Sequence, residues 1–427
     1  MLKNIYKYIA IIIITIILAI AFTGSHSVQS VDDLAYVVAL GIDVGTKENL
    51  KVTFQFTMPT PTGESGSGES SSSVIDSVEA GSIDSALNMM NAYVSKEINL
   101  SHCKIVVFSQ ELAMRGIGKE IYSLINKVQI RPDNHVIVST CTAKEYIESV
   151  SPSLENLVAK FYEILPRSSE YTGYTIDAEL GNFFNQLVCN TCEPTAILGN
   201  TVQEEDAGNG SSELSGSENS GSGSGSSKSS NNSGASNSGS QGGEVISAKN
   251  DIENLGVAVF KDDKLVGHLT AEETLAHLLI KNEFKNCNIS IPDPENENKK
   301  IDLYLTSNHA PKISVSIING TPYIKTSITV NSKLSSIDSM SQEMSEERLS
   351  QIEKSASNYL KTLLSNYLYK TSKEFHSDIA GLGRYALKKF KTNSEFEEYD
   401  WLSHYQDSFF EVNAKVDIKS GFLLTGT

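Results

Sequence analysis

Between residues 207 and 243 the chain reads "AGNGSSELSGSENSGSGSGSSKSSNNSGASNSGSQGG". A tract of this composition has almost nothing to bury. It cannot offset the entropy lost on ordering, so it is expected to be a flexible linker. As a random coil its ends lie about 33 Å apart. The folding problem is thereby divided into two bodies, residues 28–200 and 249–427, joined by a linker spanning 201–248. Six acidic residues and one lysine fall within 201–248, which carries −5 of the formal net charge of −17. A shorter tract, "GESGSGESSSS" at 63–73, reads as a loose loop inside the first body.

The first body opens with "LAYVVALGIDV", a Val-rich apolar run that fits a buried strand, and "LKVTFQFTM" alternates after a "GTKEN" turn. A hairpin is expected there. In "SIDSALNMMNAYVSKEI", Ile83, Ala86, Leu87, Met90 and Val94 share one helical face, with Ser82 as N-cap. "HCKIVVFS" and "NHVIVSTC" read as core strands; "GIGKEIYSLINKV" and "AKEYIESV" read as helices. From "SPSLENLVAKFYEIL" onward, short helices joined by loops are expected.

The second body begins with "LGVAVFKDDKLVGHLT", two strands around an Asp262-Asp263 turn. Thr270 is placed to cap the amphipathic "AEETLAHLLIKNEF". Period-two segments follow, with Asn319-Gly320 as a hairpin turn. A long helix is expected from about Ser345 to Lys373, its stripe running through Leu349, Ile352, Ala356, Tyr359, Leu360, Leu363, Leu364, Tyr367 and Leu368. A shorter helix, "IAGLGRYALKKF", and a last strand, "FFEVNAKVDIKSGFL", complete the pattern. The predicted fold class is α+β and multi-domain. Mixed and antiparallel sheets carry packed helices, one face of the second sheet being covered, and a single N-terminal membrane-anchor helix precedes them.

That anchor, residues 1–25, rests on Lys3 and Lys7 followed by an apolar stretch from Tyr8 to Phe22 broken only by Thr15. Such a segment is either a secretory signal cut after Ala19-Ile20-Ala21 or a retained signal-anchor, and the retained anchor is the expectation. Positive residues before it send the rest of the chain outside the cytoplasm. Ser25 stands where a lipobox cysteine would stand. Its hydroxyl is a far weaker nucleophile than a thiolate, so no lipidation is expected.

Motif chemistry is sparse. The 52 acidic against 35 basic residues disfavour nucleic acid, whose phosphates demand a cationic surface. Cys103 and Cys141 sit in apolar runs and are expected to be buried free thiols. Cys189 and Cys192 form a lone C-x-x-C, open to three readings: a redox pair, half a zinc site, or a local pair oxidised outside the cell. No second C-x-x-C supports zinc, and no metal is expected. Gly381-Leu382-Gly383 lacks the strand that a dinucleotide turn requires, and Gly116-Ile117-Gly118-Lys119 lacks the flanks of a P-loop. His102 precedes Cys103, but neighbours on a strand face opposite ways, so a structural role, capping or hydrogen-bonding a neighbouring backbone, is expected for it. The acidic "EFEEYD" at 395–400 lacks EF-hand spacing. No nucleophile, acid–base pair or cofactor turn is complete, and no enzyme activity or cofactor is expected.

Several stretches, in order, resemble one family: "DDLAYVVALGID", "VTFQFTMP", "LSHCKIVVFSQELAMRGI", "IRPDNHVIVSTCTAKEYI", "LGVAVFKDDKLVGHL" and "GLGRYALKKF…W…FFEVNAKVDIKSGFLLTG". They resemble the Ger(x)C family, the C subunit of spore germinant receptors. Leu34, Gly41, Asp43, Pro59, His102, Arg131, Gly256, Gly383, Trp401 and Gly421 stand at the matching positions. The resemblance implies a non-enzymatic protein on the outer face of the spore inner membrane. Its partners would be the integral membrane A and B subunits, in a complex responding to a nutrient germinant. Family members usually carry the lipobox cysteine that Ser25 replaces here, and a retained helix would substitute for the lipid. The alternative is a membrane-anchored extracytoplasmic solute-binding protein.

Overall fold

The computed structural model describes residues 2–23, 33–57, 73–152, 154–155, 157–201, 252–307, 309–337 and 345–419. Ser25, Pro59, Gly421 and the tract 207–243 lie outside the described residues. Leu2–Thr23 form one helix of 22 residues, and its side chains at Ile11, Ile12, Ile13, Ile14, Ile16 and Ile17 are exposed. Among the described residues, no helix is long and apolar enough to cross a membrane.

Among the described residues, the first sheet has ten strands. They are β1 (Leu34–Val44), β2 (Leu50–Thr57), β3 (Ser73–Ala80), β4 (Glu97–Asn99), β5 (Ile105–Ser109), β6 (His135–Ser139), β7 (Thr195–Thr201), β8 (Ile252–Glu253), β9 (Val257–Lys261) and β10 (Lys264–Leu269). The order is β10-β9-β7-β6-β5-β1-β2-β3, with β4 on β1 and β8 on β7. Its centre, β1, β5, β6 and β7, is parallel, and antiparallel partners flank it on both sides. Parallel strands need long crossovers, which the helices Gln110–Arg115, Gly118–Ile125, Ala143–Glu148 and Leu180–Leu187 supply. Both faces are therefore covered. Val37, Leu40 and Ile42 point into one apolar core and Val38 and Ala39 into another. That double burial is why β1 and β5 read as unbroken apolar runs.

The second sheet comprises β11 (Asn286–Asp293), β12 (Asn296–Thr306), β13 (Lys312–Ile318), β14 (Thr321–Ile337) and β15 (Phe409–Ile418). It runs β11-β12-β14-β13, all antiparallel, with β15 parallel to β14. The expected antiparallel sheet thus gains one parallel partner. The cause is the long return through the helix Glu346–Lys373, which brings the chain back to the same end. That helix buries Ile352, Ala356, Leu360, Leu364 and Leu368 over one face of the sheet. Burying each of these isoleucine and leucine side chains is worth about 1.5–3 kcal/mol. At its first turn Arg348 reaches the buried Asp293 carboxylate at 2.7 Å and Glu295 at 2.5 Å.

Most local expectations match. Ser82 and Thr270 cap their helices, Thr270 reciprocally with Glu273, and the long helix begins at Glu346, next to its expected start. Asp262, Asn319 and Gly320 take the positive φ their turns need. Three differ. The helix expected over "IAGLGRYALKKF" is only Gly383–Leu387, because the chain before it wraps a buried carboxylate. Cys141 is half-buried and within 3.0 Å of the Ser139 hydroxyl, since it lies beyond the end of β6. His102, expected to cap or to bond a neighbouring backbone, is instead exposed and stacks on Tyr36, ring centroids 4.3 Å apart.

The larger departure is topological. The β9–β10 hairpin, the start of the second body, is built into the sheet of the first. β9 pairs with β7 from Thr195 to Ile197, and β8 pairs with its far end. One apolar core accordingly runs from the first sheet, through the helix Ala271–Lys281, into the second sheet and the Trp401 region.

Candidate functional site

Two motif residues of the first body, Gly41 and Asp43, meet at the start of one helix. Gly41 lets β1 approach the helix Ala143–Glu148; a Cβ there would sit 2.9 Å from Ile147 Cδ1 and 3.3 Å from Ala143 Cβ. Two residues along the same strand, on the same face, the buried Asp43 carboxylate accepts the Ala143 N–H at 2.7 Å and the Lys144 N–H at 3.1 Å. These are orphan donors of a helix N-terminus. Burial raises the Asp43 pKa above its ordinary value, and those two N–H groups pull the other way. Leu34 begins β1 half-buried, in parallel register with Glu97. Arg131 is exposed and pairs with Asp133 at 2.8 Å.

The two bodies are joined by reciprocal contacts. Asp263, in the hairpin turn of the second body, lies over Gly116 and Gly118 of the first. The Gly118 N–H donates to its carboxylate at 3.3 Å, and the Ile117 N–H to its carbonyl at 2.9 Å. A Cβ on Gly116 would lie 2.8 Å from that carboxylate, and on Gly118 2.9 Å. Gly116 also has φ +112, open to glycine at little cost. The spelling that suggests a phosphate loop therefore receives an aspartate of the same chain. Gly256, at φ +98, seats the hairpin: its N–H donates to the Tyr174 carbonyl at 2.8 Å, and a Cβ would strike the Leu269 carbonyl.

The second joint is buried. The fully buried carboxylate of Asp378 accepts the Leu382 N–H at 3.0 Å, the Gly383 N–H at 2.8 Å and the Trp401 indole N–H at 2.8 Å. Gly383 then lies flat on the first body: a Cβ would be 2.6 Å from the Thr191 carbonyl and 2.7 Å from Trp401 Cδ1. The Glu193 N–H donates to the Asp378 carbonyl at 3.0 Å, and the Ser377 hydroxyl to the Phe260 carbonyl at 2.6 Å. Glu193, itself 3% exposed, accepts the Asp262 N–H at 2.8 Å. Burial pushes Glu193 up to about 7, against that hydrogen bond, and Asp378 up to about 6, against its three donors.

Beside this joint lies a cavity of 530 Å³ lined by Asp177, Gln186, Cys189, Cys192, Lys281 and Arg384, among others. Among the described residues, no group of three His, Cys, Asp or Glu side chains could hold a metal ion, so no third ligand joins the C-x-x-C pair there. Cys189 and Cys192 offer the chemistry of a dithiol there. The structure brings Gly383 and Trp401 together, and Gly41 and Asp43, but leaves His102 and Arg131 apart at the surface. Sequence reasoning misses Asp378 and Glu193. The signal for Asp378, a carboxylate just ahead of a G-x-G, is too common to single out; Glu193 has none beyond its place after the C-x-x-C.

Comparison with known proteins matches both bodies to one family. The model described as the spore germination protein N-terminal domain matches residues 27–198, and that described as spore germination B3/GerAC like, C-terminal, matches residues 255–421. The putative spore germination protein YfkR of Bacillus subtilis (strain 168) is 22% identical over 436 residues, covering 100% of this chain and 99% of that protein. The crystal structure of the GerBC protein aligns with a TM-score of 0.51 at 14% identity, over 89% of this chain and 96% of that one, and has the same fold.

Proposed function

Because this chain belongs to the Ger(x)C family of spore germination proteins, whose two segments it carries in order between residues 27 and 421, we propose that it serves spore germination as a non-enzymatic receptor subunit. In this reading it docks on the integral membrane A and B subunits at the outer face of the spore inner membrane. The observation that carries the reading is the use made of the motif residues. Gly41, Asp43, Gly256, Gly383 and Trp401 are spent on joints within the chain, as expected of a rigid docking body rather than a catalyst.

The helix Leu2–Thr23 is the proposed tether. Its exposed side chains at Ile11, Ile12, Ile13, Ile14, Ile16 and Ile17 would hold it at the membrane by their apolar surface. Confinement near the membrane raises the effective concentration of the body at its partners. The solute-binding alternative loses ground because β7 pairs with β9 across the two bodies, leaving no independent lobes to hinge around a ligand.

Membranes from sporulating cells, washed with alkaline carbonate and then solubilised, test the proposal. The chain is expected in the washed pellet, and to co-purify with two multi-span proteins. Recovery in the carbonate supernatant, or purification alone, contradicts it. Calorimetry with amino acids or sugars on the chain lacking residues 1–25 should give no tight binding; tight binding would restore the solute-binding reading.

A further inference from the structure

The helix Leu180–Leu187 ends at Val188, and the chain turns through Cys189, Asn190, Thr191 and Cys192 before β7. The turn places both cysteines in the lining of one cavity. The Thr191 hydroxyl lies 3.0 Å from Cys189 Sγ, and the Thr191 N–H donates to it at 3.4 Å. Both cysteines are half-buried and line the 530 Å³ cavity, so a small reagent can reach them. Cys103 and Cys287, by contrast, are buried. The same turn is the surface on which the second body rests. Gly383 lies against the Thr191 backbone, a Cβ on Gly381 would be 3.5 Å from Cys192 Cβ, and the Glu193 N–H reaches the Asp378 carbonyl.

We propose that Cys189 and Cys192 are a modification site: a reversible disulfide that stiffens the joint between the two bodies. The oxidant is a low-molecular-weight disulfide. The Cys189 thiolate attacks one of its sulfurs and expels one thiolate, leaving a mixed disulfide on Cys189. The Cys192 thiolate then attacks the Cys189 sulfur and expels the second. In sum, one protein dithiol and one small disulfide become one protein disulfide and two small thiols. The order of attack follows from the surroundings. Burial disfavours the Cys189 thiolate, but hydrogen bonds from Thr191 and Cys192 outweigh it and hold its pKa below the ordinary thiol value. Burial raises the Cys192 thiol, with Cys189 and the nearby Asp378 charge adding to the rise. Cys189 is thus the attacking thiol and Cys192 the resolving one. The closed ring removes backbone freedom from the turn under residues 378–384. This inference rests on the geometry of the turn and not on the receptor reading, so either can fail without the other.

The test uses the full chain in detergent, equilibrated with reduced and oxidised glutathione at graded ratios, quenched in acid and mapped by thiol labelling and peptide mass. Cys189 and Cys192 should lose their labels together, with loss of two hydrogens, while Cys103 and Cys287 label only after unfolding. Cys192→Ser should accumulate glutathione on Cys189. Cys189→Ser should react at Cys192 at least about tenfold more slowly. Amide exchange across 189–194 and 379–384 should slow about tenfold on oxidation of the native chain and stay unchanged in both variants. Full labelling of both cysteines at every ratio, or a mixed disulfide in the native chain that Cys192 never resolves, overturns the proposed site. Disulfide formation with unchanged exchange at 379–384 overturns its effect on the joint.

Discussion

The chain contains two G-x-G turns that do opposite halves of one job. Gly116-Ile117-Gly118, in the first body, makes room for the Asp263 carboxylate arriving from the second. Gly381-Leu382-Gly383, in the second, makes room for the Thr191 backbone of the first. The first joint is half open to water, so its carboxylate is partly satisfied by solvent. The second is sealed: Asp378 is 0% exposed and Trp401 1%. Identical spelling therefore says only that something must come close; burial decides what that closeness is worth. A polar contact sheltered from water is costly to lose, and one that water can replace is cheap.

This contrast can be broken or sharpened by substitution. Asp378→Ala strands the indole N–H and two backbone N–H groups in a sealed site, and should cost about 3–5 kcal/mol in chemical denaturation. Gly383→Ala places a methyl against the Thr191 carbonyl and Trp401, and should cost about 2–3 kcal/mol by the same measurement. A loss near zero for either would remove the distinction.

The pH dependence follows from the raised carboxyls. Glu193 titrates at about 7 in the folded chain against 4.5 ordinarily, and Asp378 at about 6 against 3.8. Between those values the folded state holds protons that the unfolded state has released. Their contribution is fully present below the lower values and is lost as pH rises through about 6 and then about 7. Urea midpoints should therefore drop between pH 5 and pH 8, by the equivalent of about 1–3 kcal/mol. Glu193→Gln should flatten the upper part of that drop. At the open joint, Asp263→Ala should cost only about 1 kcal/mol. Arg131→Ala, which breaks one exposed ion pair, should stay within about 0.5 kcal/mol.

Local structure was legible where a residue's own chemistry determines it. The caps at Ser82 and Thr270 and the turns at Asp262 and Asn319 depend on neighbours a few positions away. The run at β1 and the stripe of Glu346–Lys373 follow from which faces are covered. Partnership was not legible. An apolar strand such as β9 carries no label for the sheet it joins, so its pairing with β7 across the serine-rich tract could not be read. Nor could the parallel return of β15, or β3, a half-buried edge strand that follows the shorter serine tract. The resemblance located Gly383 and Trp401, but their common partner Asp378 emerges only when residues 23 positions apart fold onto one another.

The central claim is that the two halves form one body despite the tract between them. Proteolytic cleavage within residues 207–243, followed by size-exclusion chromatography under native conditions, tests it directly. The two fragments should co-elute as a single species of the intact size and separate only in denaturant. Two folded fragments eluting apart in native buffer would contradict the shared sheet and the joints built on Asp263 and Asp378.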